Sequence, residues 1–448
     1  MFLMKVLGIV SLVFVLNIHR VKADDWCFIT LADWHGAEEY VLNPLKENSS
    51  GAQEQIETLK HINQNYGGEL VMFPGDSNGG KWHQPKYPKH FDTTPEDTII
   101  QAGKNSYETM RVVFEEAGYS TLLMAVGDHE LGGNAWPAAK LKTTLLPQYR
   151  EAFKFGFNQD PATGDYRFPD KIGDAESRPP GIYHGTSFAY RHKNVLFITV
   201  DAFKLVEPES ENFWDRTQGL GGEGTVTCTV EGEHLDWFEK VLVEARKDST
   251  IKHILVQAHL PIHQPVRKVN CSGQFLDHAE GSEFWKMMQK YSVDIYFAGE
   301  VHINTASLDR DSNLVQVVSR GNKLSNFLKV CVTDDAIDIT SYNEVGVKPK
   351  NNRNYEFNGH LNVDKSNGTP KFDTSGTLQF FNRWVALIHF DFEEIMSLAS
   401  RPVPVLKHDD HDNTLIQRKI TVRGTECAES VPNRGSYDRE CLHTVSIF

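Results

Sequence analysis

Between residue 26 and about residue 345, short apolar runs alternate with amphipathic stretches, and this alternation limits the possible folds more than any other feature. Strand-like runs occupy Cys27–Ala32, Leu70–Phe73, Thr121–Val126, Val195–Val200, His253–Gln257 and Val293–Ala298. Helix-like stretches lie at Ala52–Asn65, Ser106–Ala117, Gly232–Arg246 and Ser282–Lys290. In the third, Leu235, Phe238, Leu242 and Ala245 recur at helical spacing and make one apolar face. The pattern predicts an α/β protein of layered sheets and helices. Polar, Gly/Pro-rich segments at Ser77–Lys104, Asp160–Gly185 and Glu207–Val230 read as long insertions, and loops of that length are usually functional or disordered. Past about Lys348 the rhythm stops. Residues 24–349 are therefore read as the main domain and 350–448 as a C-terminal, β-rich extension. Within that extension the aromatic run Phe380–Phe392 reads as core and His408–Asp412 as a solvated polar stretch.

Acids and histidines fall where these runs end. Asp33 and His35 follow the first, Asp76 the second, Asp128 and His129 the third. His259 follows the run His253–Gln257, and Glu300 and His302 close the run that begins at Val293. A single acid after a strand is ordinarily an Asx turn or a helix cap, and Asp201 reads as such a turn residue. Five strand ends delivering Asp, Glu or His are another matter, because ligands bind α/β sheets where the loops at the carboxyl ends of the strands converge. Glycines before Asp76, Asp128 and Glu300 suit sharp turns, and mixed carboxylate and imidazole donors suit Mn, Fe, Zn or similar cations. His263, four residues beyond His259, is a possible contact for the substrate or a solvated loop residue. Trp34 reads as packing or pocket wall.

In order, the motifs are Asp33-Trp-His35, Gly75-Asp76, Gly127-Asp128-His129-Glu130, His259 and Gly299-Glu300-Val-His302. This series resembles the signature of the calcineurin-like metallophosphoesterases over roughly residues 26–345. The resemblance implies a double-sheet β-sandwich flanked by helices and two metal ions, drawn from Fe, Mn, Zn or Mg, about 3.5–4 Å apart. It implies that Asp33, His35, Asp76 and His302 hold one ion, with Asp76 bridging to a second bound by Asp128, His259 and Glu300. It makes His129 an unligated proton donor to the leaving group and implies hydrolysis of phosphate monoesters or diesters by a metal-bound hydroxide.

Two positions depart from the family pattern, both at the second ion: Asp128 replaces an Asn and Glu300 a His. The two added carboxylates change the charge of a two-ion, one-hydroxide centre from about +1 to about −1. Either the second ion is oxygen-loving (Mn, Mg, Ca) or trivalent iron, or the substrate is a less charged diester. A further departure is Gly79, three residues past Asp76, where the similar purple acid phosphatases place a tyrosine. No purple iron chromophore is expected without it. The rival to an enzyme is a catalytically impaired metal- or calcium-binding scaffold or adhesion protein, which Asp128 and Glu300 would suit and which has no use for His129.

Bulk properties narrow the partners. A formal net charge of −14 with no long Lys/Arg cluster excludes a nucleic-acid module and leaves a small phosphorylated substrate. Lys5, the apolar run Val6–Ile18 and Val21-Lys22-Ala23 read as a cleaved signal peptide over residues 1–23, and no later run is long enough to span a bilayer. A secreted or secretory-lumen protein is thus expected. The sequons at Asn48, Asn270 and Asn367 agree with it, as do six cysteines, Cys27, Cys228, Cys271, Cys331, Cys427 and Cys441, which allow up to three disulfides.

Overall fold

Every apolar run singled out above forms a strand in the computed structural model, although the strands are up to three residues shorter than the runs. The structure describes residues 25–42, 50–133, 139–205, 226–263, 281–302, 304–309, 312–321, 324–345, 354–376, 418–423 and 442–447. The first third holds β1 (Trp26–Thr30), α1 (Ser50–Tyr66), β2 (Val71–Phe73), α2 (Lys86–Phe91), α3 (Pro95–Glu116), β3 (Leu122–Met124) and α4 (Ala139–Phe153). The short β4 (Lys171–Ile172) and β5 (Ala175–Glu176) precede β6 (Phe188–His192), β7 (Val195–Thr199), β8 (Phe203–Leu205), β9 (Val226–Cys228) and α5 (Gly232–Lys247). There follow β10 (His253–Gln257), α6 (Glu283–Lys290), β11 (Ile295–Ala298), β12 (Thr305–Leu308) and β13 (Val315–Val318). The series ends with β14 (Asn326–Val332), β15 (Ala336–Val345), β16 (Asn354–Asp364), β17 (Lys371–Gly376), β18 (Arg418–Arg423) and β19 (Leu442–Ile447).

Two sheets carry the architecture: seven strands in the order β17-β16-β15-β14-β1-β2-β3, and six in the order β12-β13-β11-β10-β7-β6. β1, β2 and β3 are parallel, as are β7, β10, β11 and β13. Burial on both faces explains why the central strands are apolar throughout rather than alternating. In β10, Leu255 faces inward between the sheets, while Ile254 and Val256 face the helices, the two-residue period of a strand. Phe28 of the first sheet meets Phe197 and Phe297 of the second edge-on at 5.2 and 6.4 Å. The outer face of the first sheet packs on α1, α3 and α4, and that of the second on α5 and α6. The layers therefore run helix, sheet, sheet, helix.

The stretch Ser77–Lys104 is not one long loop. It contains α2 and the start of α3, which begins nine residues before Lys104 at a standard helix start: the Thr94 hydroxyl accepts from the Asp97 amide at 3.1 Å, and Pro95 occupies the first turn. A Gly/Pro-rich texture concealed it. Asp160–Gly185 carries only the β4–β5 hairpin and a short 3-10 turn, and most of Glu207–Val230 lies outside the described residues.

The chain divides into two compact units, Met1–His389 and Phe390–Phe448. In the first, β16 and β17 continue the seven-stranded sheet beyond residue 350. In the second, β18 and β19 form an antiparallel pair. Residues 1–23, the run Phe380–Phe392 and His408–Asp412 lie outside the described residues. Cys27 and Cys331 are register partners on β1 and β14 and form a disulfide. Cys228 lies in β9, and Cys271, Cys427 and Cys441 fall outside the described residues. Asn367 is exposed in the turn between β16 and β17. Among the described residues no helix is long and apolar enough to cross a membrane.

One core histidine gives a stability prediction. His234, in the first turn of α5, stacks on Tyr183 at 4.2 Å and on Trp237 at 5.7 Å, and neither ring nitrogen has a hydrogen-bond partner. Burial, with Arg150 nearby and only partly countered by Asp201, lowers its pKa from 6.5 to about 4. The unfolded chain therefore binds a proton that the folded chain refuses between those values, and stability falls as pH drops from 6.5 to 4, by about 3 kcal/mol. Urea denaturation at pH 7 and pH 4 is expected to show this loss in the wild type and a correspondingly smaller one in His234→Phe. Equal losses in the two proteins would remove the assignment.

Candidate metal centre

The loops that follow β1, β2, β3, β10 and β11 meet at one end of the sandwich because their parent strands run parallel within each sheet. Asp33 and the four residues beyond it lie alongside the loop after β2: the amides of Asp33, His35 and Ala37 donate to the carbonyls of Gly75, Asp76 and Ser77, each at 3.0 Å. Asp33 Oδ1 accepts from the Glu300 amide at 3.0 Å, and Asp76 Oδ1 from the His129 amide at 3.1 Å. Donor side chains thus fasten the loops to one another.

Five residues of this cluster, Asp33, His35, Asp76, Glu300 and His302, have φ between 48° and 67°. A side chain in the left-handed region costs about 1–3 kcal/mol, and such strain concentrates at functional sites. The two glycines ahead of Asp128 and Glu300 are needed for space rather than for a turn. A Cβ at Gly127 would lie 2.1 Å from Asp76 Oδ1, and one at Gly299 2.6 Å from Asp33 Oδ2.

Three overlapping sets of donors result: Asp33, His35 and His302; His35, Asp76 and His129; and Asp76, Asp128, His259 and Glu300. Within each set the donor atoms lie within 4.8 Å of one another. His259 Nε2 is 3.3 Å from Asp76 Oδ2, 3.4 Å from Asp128 Oδ1 and 3.1 Å from Glu300 Oε2. His302 Nε2 is 3.2 Å from Asp33 Oδ1, and His129 Nε2 is 3.8 Å from Asp76 Oδ2. All eight residues singled out at strand ends are therefore gathered here. His263 belongs to none of these sets. Its Nδ1 bonds Ser307 Oγ at 2.9 Å and its ring stacks on Trp285 at 5.6 Å.

Three imidazoles are oriented by main-chain carbonyls. His35 Nδ1 reaches Asn78 O at 3.1 Å, His129 Nδ1 reaches Gly79 O at 2.9 Å, and His259 Nδ1 reaches Pro74 O at 2.7 Å. A carbonyl only accepts, so each Nδ1 carries the hydrogen and each Nε2 is left as the donor atom for a cation or, in His129, a substrate.

The set fits cations. Asp33, Asp76, Asp128, His259 and Glu300 are all buried, yet Asp33 Oδ2, both oxygens of Asp128 and Glu300 Oε1 have no hydrogen-bond donor. Buried carboxylate oxygens without donors are costly unless a positive charge satisfies them. The electrostatics agree. Burial would raise the Asp76 carboxyl, but His259 and His129 outweigh it and hold it well below the usual range. Burial opposes charge on the imidazoles, yet Asp76 with its neighbours drives His259 far above its ordinary value and His129 to about 9. Burial and the Asp128 charge push Glu300 to about 8. A bound cation competes with these protons for the same lone pairs.

Some supporting residues escaped the sequence reading. Glu130 is fully buried and accepts five hydrogen bonds, from the amides of Asp76, Ser77 and Gly127 at 2.8 Å, the Ser77 hydroxyl at 2.8 Å and Asn78 Nδ2 at 3.0 Å. One carboxylate thereby ties the loop after β2 to the loop after β3. In the sequence it closes the motif Gly127-Asp128-His129-Glu130 with no role attached to it. Trp34 is buried against Phe114 in the helical core, and Asp201 is paired with Arg150, so neither joins the centre.

The family model described as calcineurin-like phosphoesterase matches residues 28–304. No curated protein matches the chain. Similar solved structures include a dimetal phosphatase from Danio rerio, 15% identical with a TM-score of 0.43, covering 74% of this chain and 98% of that one. PhoD is 12% identical with a TM-score of 0.44, covering 79% of this chain and 72% of that one. Purple acid phosphatase PPD1 from yellow lupin seeds is 13% identical with a TM-score of 0.41, covering 86% and 58%. The family match spans the strands that carry the gathered acids and histidines, and on that match the chain belongs to the calcineurin-like phosphoesterase family.

Proposed function

We propose that this protein hydrolyses phosphate esters, preferring diesters, at a two-metal centre. The observation that carries the reading is the group of buried, donorless carboxylate oxygens on Asp33, Asp128 and Glu300, set beside imidazoles whose Nδ1 hydrogens are already committed to carbonyls. Asp33, His35, Asp76 and His302 would hold one ion, and Asp76, Asp128, His259 and Glu300 the other. The ions would supply Lewis-acid polarisation of the phosphoryl oxygens and acidify a water. The chain itself contributes the proton donor: His129 is half-buried, oriented by Gly79 O, and held in its protonated range by neighbouring carboxylates. On this reading that proton passes to the leaving-group oxygen.

With four carboxylates the centre is about two charges more negative than the usual set. This favours an oxygen-loving ion (Mn, Mg or Ca) or trivalent iron at the second position, and a singly charged diester over a dianionic monoester. The Cys27–Cys331 disulfide and the apolar leader support a location in the secretory pathway or outside the cell.

The test is turnover of p-nitrophenyl phosphate and bis-p-nitrophenyl phosphate with Mn, Zn, Mg or Ca. A higher kcat/KM for the bis ester with Mn is expected, and the reverse preference would remove the diester assignment. His129→Ala is expected to keep its metal content and lose about 10²–10⁴-fold in kcat. Calcium binding with no turnover under any metal would instead identify the scaffold that the Asp128 and Glu300 replacements favour.

A further inference from the structure

Two consecutive carbonyls, Asn78 O and Gly79 O, orient the imidazoles of His35 and His129. The placement of this segment therefore sets two side chains of the centre at once. Glu130 holds its first half, through Ser77 and Asn78. The second half is held by Glu38, in the 3-10 turn Gly36–Tyr40 that directly follows His35.

Glu38 Oε2 accepts from the Gly79 amide at 3.1 Å and from Trp82 Nε1 at 3.3 Å, while Oε1 accepts a short bond from the Tyr87 hydroxyl. Trp82 is fully buried against Tyr107 and Tyr149, so the half-buried Glu38 is anchored to a buried aromatic wall. Glu38 also takes up the space beside residue 79. A Cβ there would lie 3.3 Å from Oε2, at the position where a tyrosine stands in the similar purple acid phosphatases. Gly79 and Glu38 thus form a pair: the missing side chain admits the carboxylate, and the carboxylate fixes the peptide whose carbonyl holds His129.

We propose that Glu38 is a positioning residue for this centre, acting through the Gly79 peptide to hold His129 and, through the adjoining Asn78 carbonyl, His35. The inference rests on the two-metal reading for its consequence in turnover, but the orientation of the rings can be measured without turnover.

The experiment compares Glu38→Ala and Glu38→Gln with wild type. Readouts are ¹⁵N spectra of the imidazoles with no metal added, Mn²⁺ affinity by calorimetry, and kinetics on bis-p-nitrophenyl phosphate. Recorded at pH 10, above the value of about 9 at which His129 gives up its second proton, the His35 and His129 signals of Glu38→Ala should move from a single Nδ1–H form to a tautomer mixture. Mn²⁺ affinity and kcat should each fall about 10–100-fold, the range for residues that orient metal ligands, with KM within about threefold. Glu38→Gln should stay within about threefold in all readouts, since its amide oxygen can accept from both Gly79 and Trp82. If Glu38→Ala does not fold, Glu38→Asp, too short to span the same donors, must show the loss. Unchanged imidazole signals, or a Gln variant as impaired as Ala, would overturn the proposal. An inactive wild type whose imidazoles still respond to Glu38→Ala would remove the phosphoesterase reading and leave Glu38 as the positioning residue.

Discussion

Asp76→Ala is expected to lower kcat/KM by about 10³-fold or more, because metal polarisation supplies several kcal/mol and each 1.4 kcal/mol is worth about tenfold. Asp76 is shared by two of the three donor sets. Oδ2 faces His259 and His129, Oδ1 accepts from the His129 amide, and its own amide donates to Glu130. On the proposed ligand set, removing the carboxylate would take one ligand from each ion, and it would also release the His129 amide. Metal analysis alongside the kinetics should show fewer than two bound ions. Asp76→Asn controls for folding, since Asn tolerates the left-handed backbone at φ 62°. An Asp76→Ala protein with two ions and activity within tenfold of wild type would contradict the bridging role.

Asp201→Ala is expected to destabilise the fold by about 3–5 kcal/mol, the cost of leaving a buried charge without its partner. Asp201 Oδ2 accepts from Arg150 Nε and from Thr186 Oγ1, each at 2.8 Å, and Oδ1 accepts from the Phe203 amide at 3.1 Å. The Arg150 side chain is 8% exposed. Burial works against its charge, and Asp201 more than restores it, raising its pKa above the ordinary value. Once Asp201 is gone, the guanidinium keeps the Phe203 carbonyl and the Tyr183 ring, neither of which carries a negative charge. Arg150→Met in the same chain is expected to recover most of the loss, because an apolar pair of similar volume avoids the desolvation cost. Chemical denaturation of the two single variants and the double variant measures it. A loss under about 1 kcal/mol in Asp201→Ala would show that water or another group reaches Arg150.

Asp201 also marks the limit of what position along the chain conveys. It ends β7, the strand beside β10, whose own end carries His259. Both residues follow an apolar run at the same end of one sheet, yet only His259 faces the donors. What separates them is Arg150, brought from α4 to neutralise Asp201. Likewise Gly127 and Gly299 could be read as turn formers, but their φ values are not in the left-handed region, and what requires glycine is the approach of Asp76 and Asp33. Glu38 gave no signal at all, since its partners come from residues 79, 82 and 87.

The amino-acid sequence by itself determined the α/β class, the apolar runs that become strands and the set of donors at their ends. Strand propensity and burial are local properties, and parallel strands necessarily bring their carboxyl ends to one side. Tertiary structure alone decided the Cys27–Cys331 pairing, the continuation of the first sheet through β16 and β17, the helix start at Thr94 that a loop-like composition concealed, and which buried acids meet a cation and which meet an arginine. Each of these depends on a partner far away in the chain, and a local pattern holds no information about which distant group will share its volume.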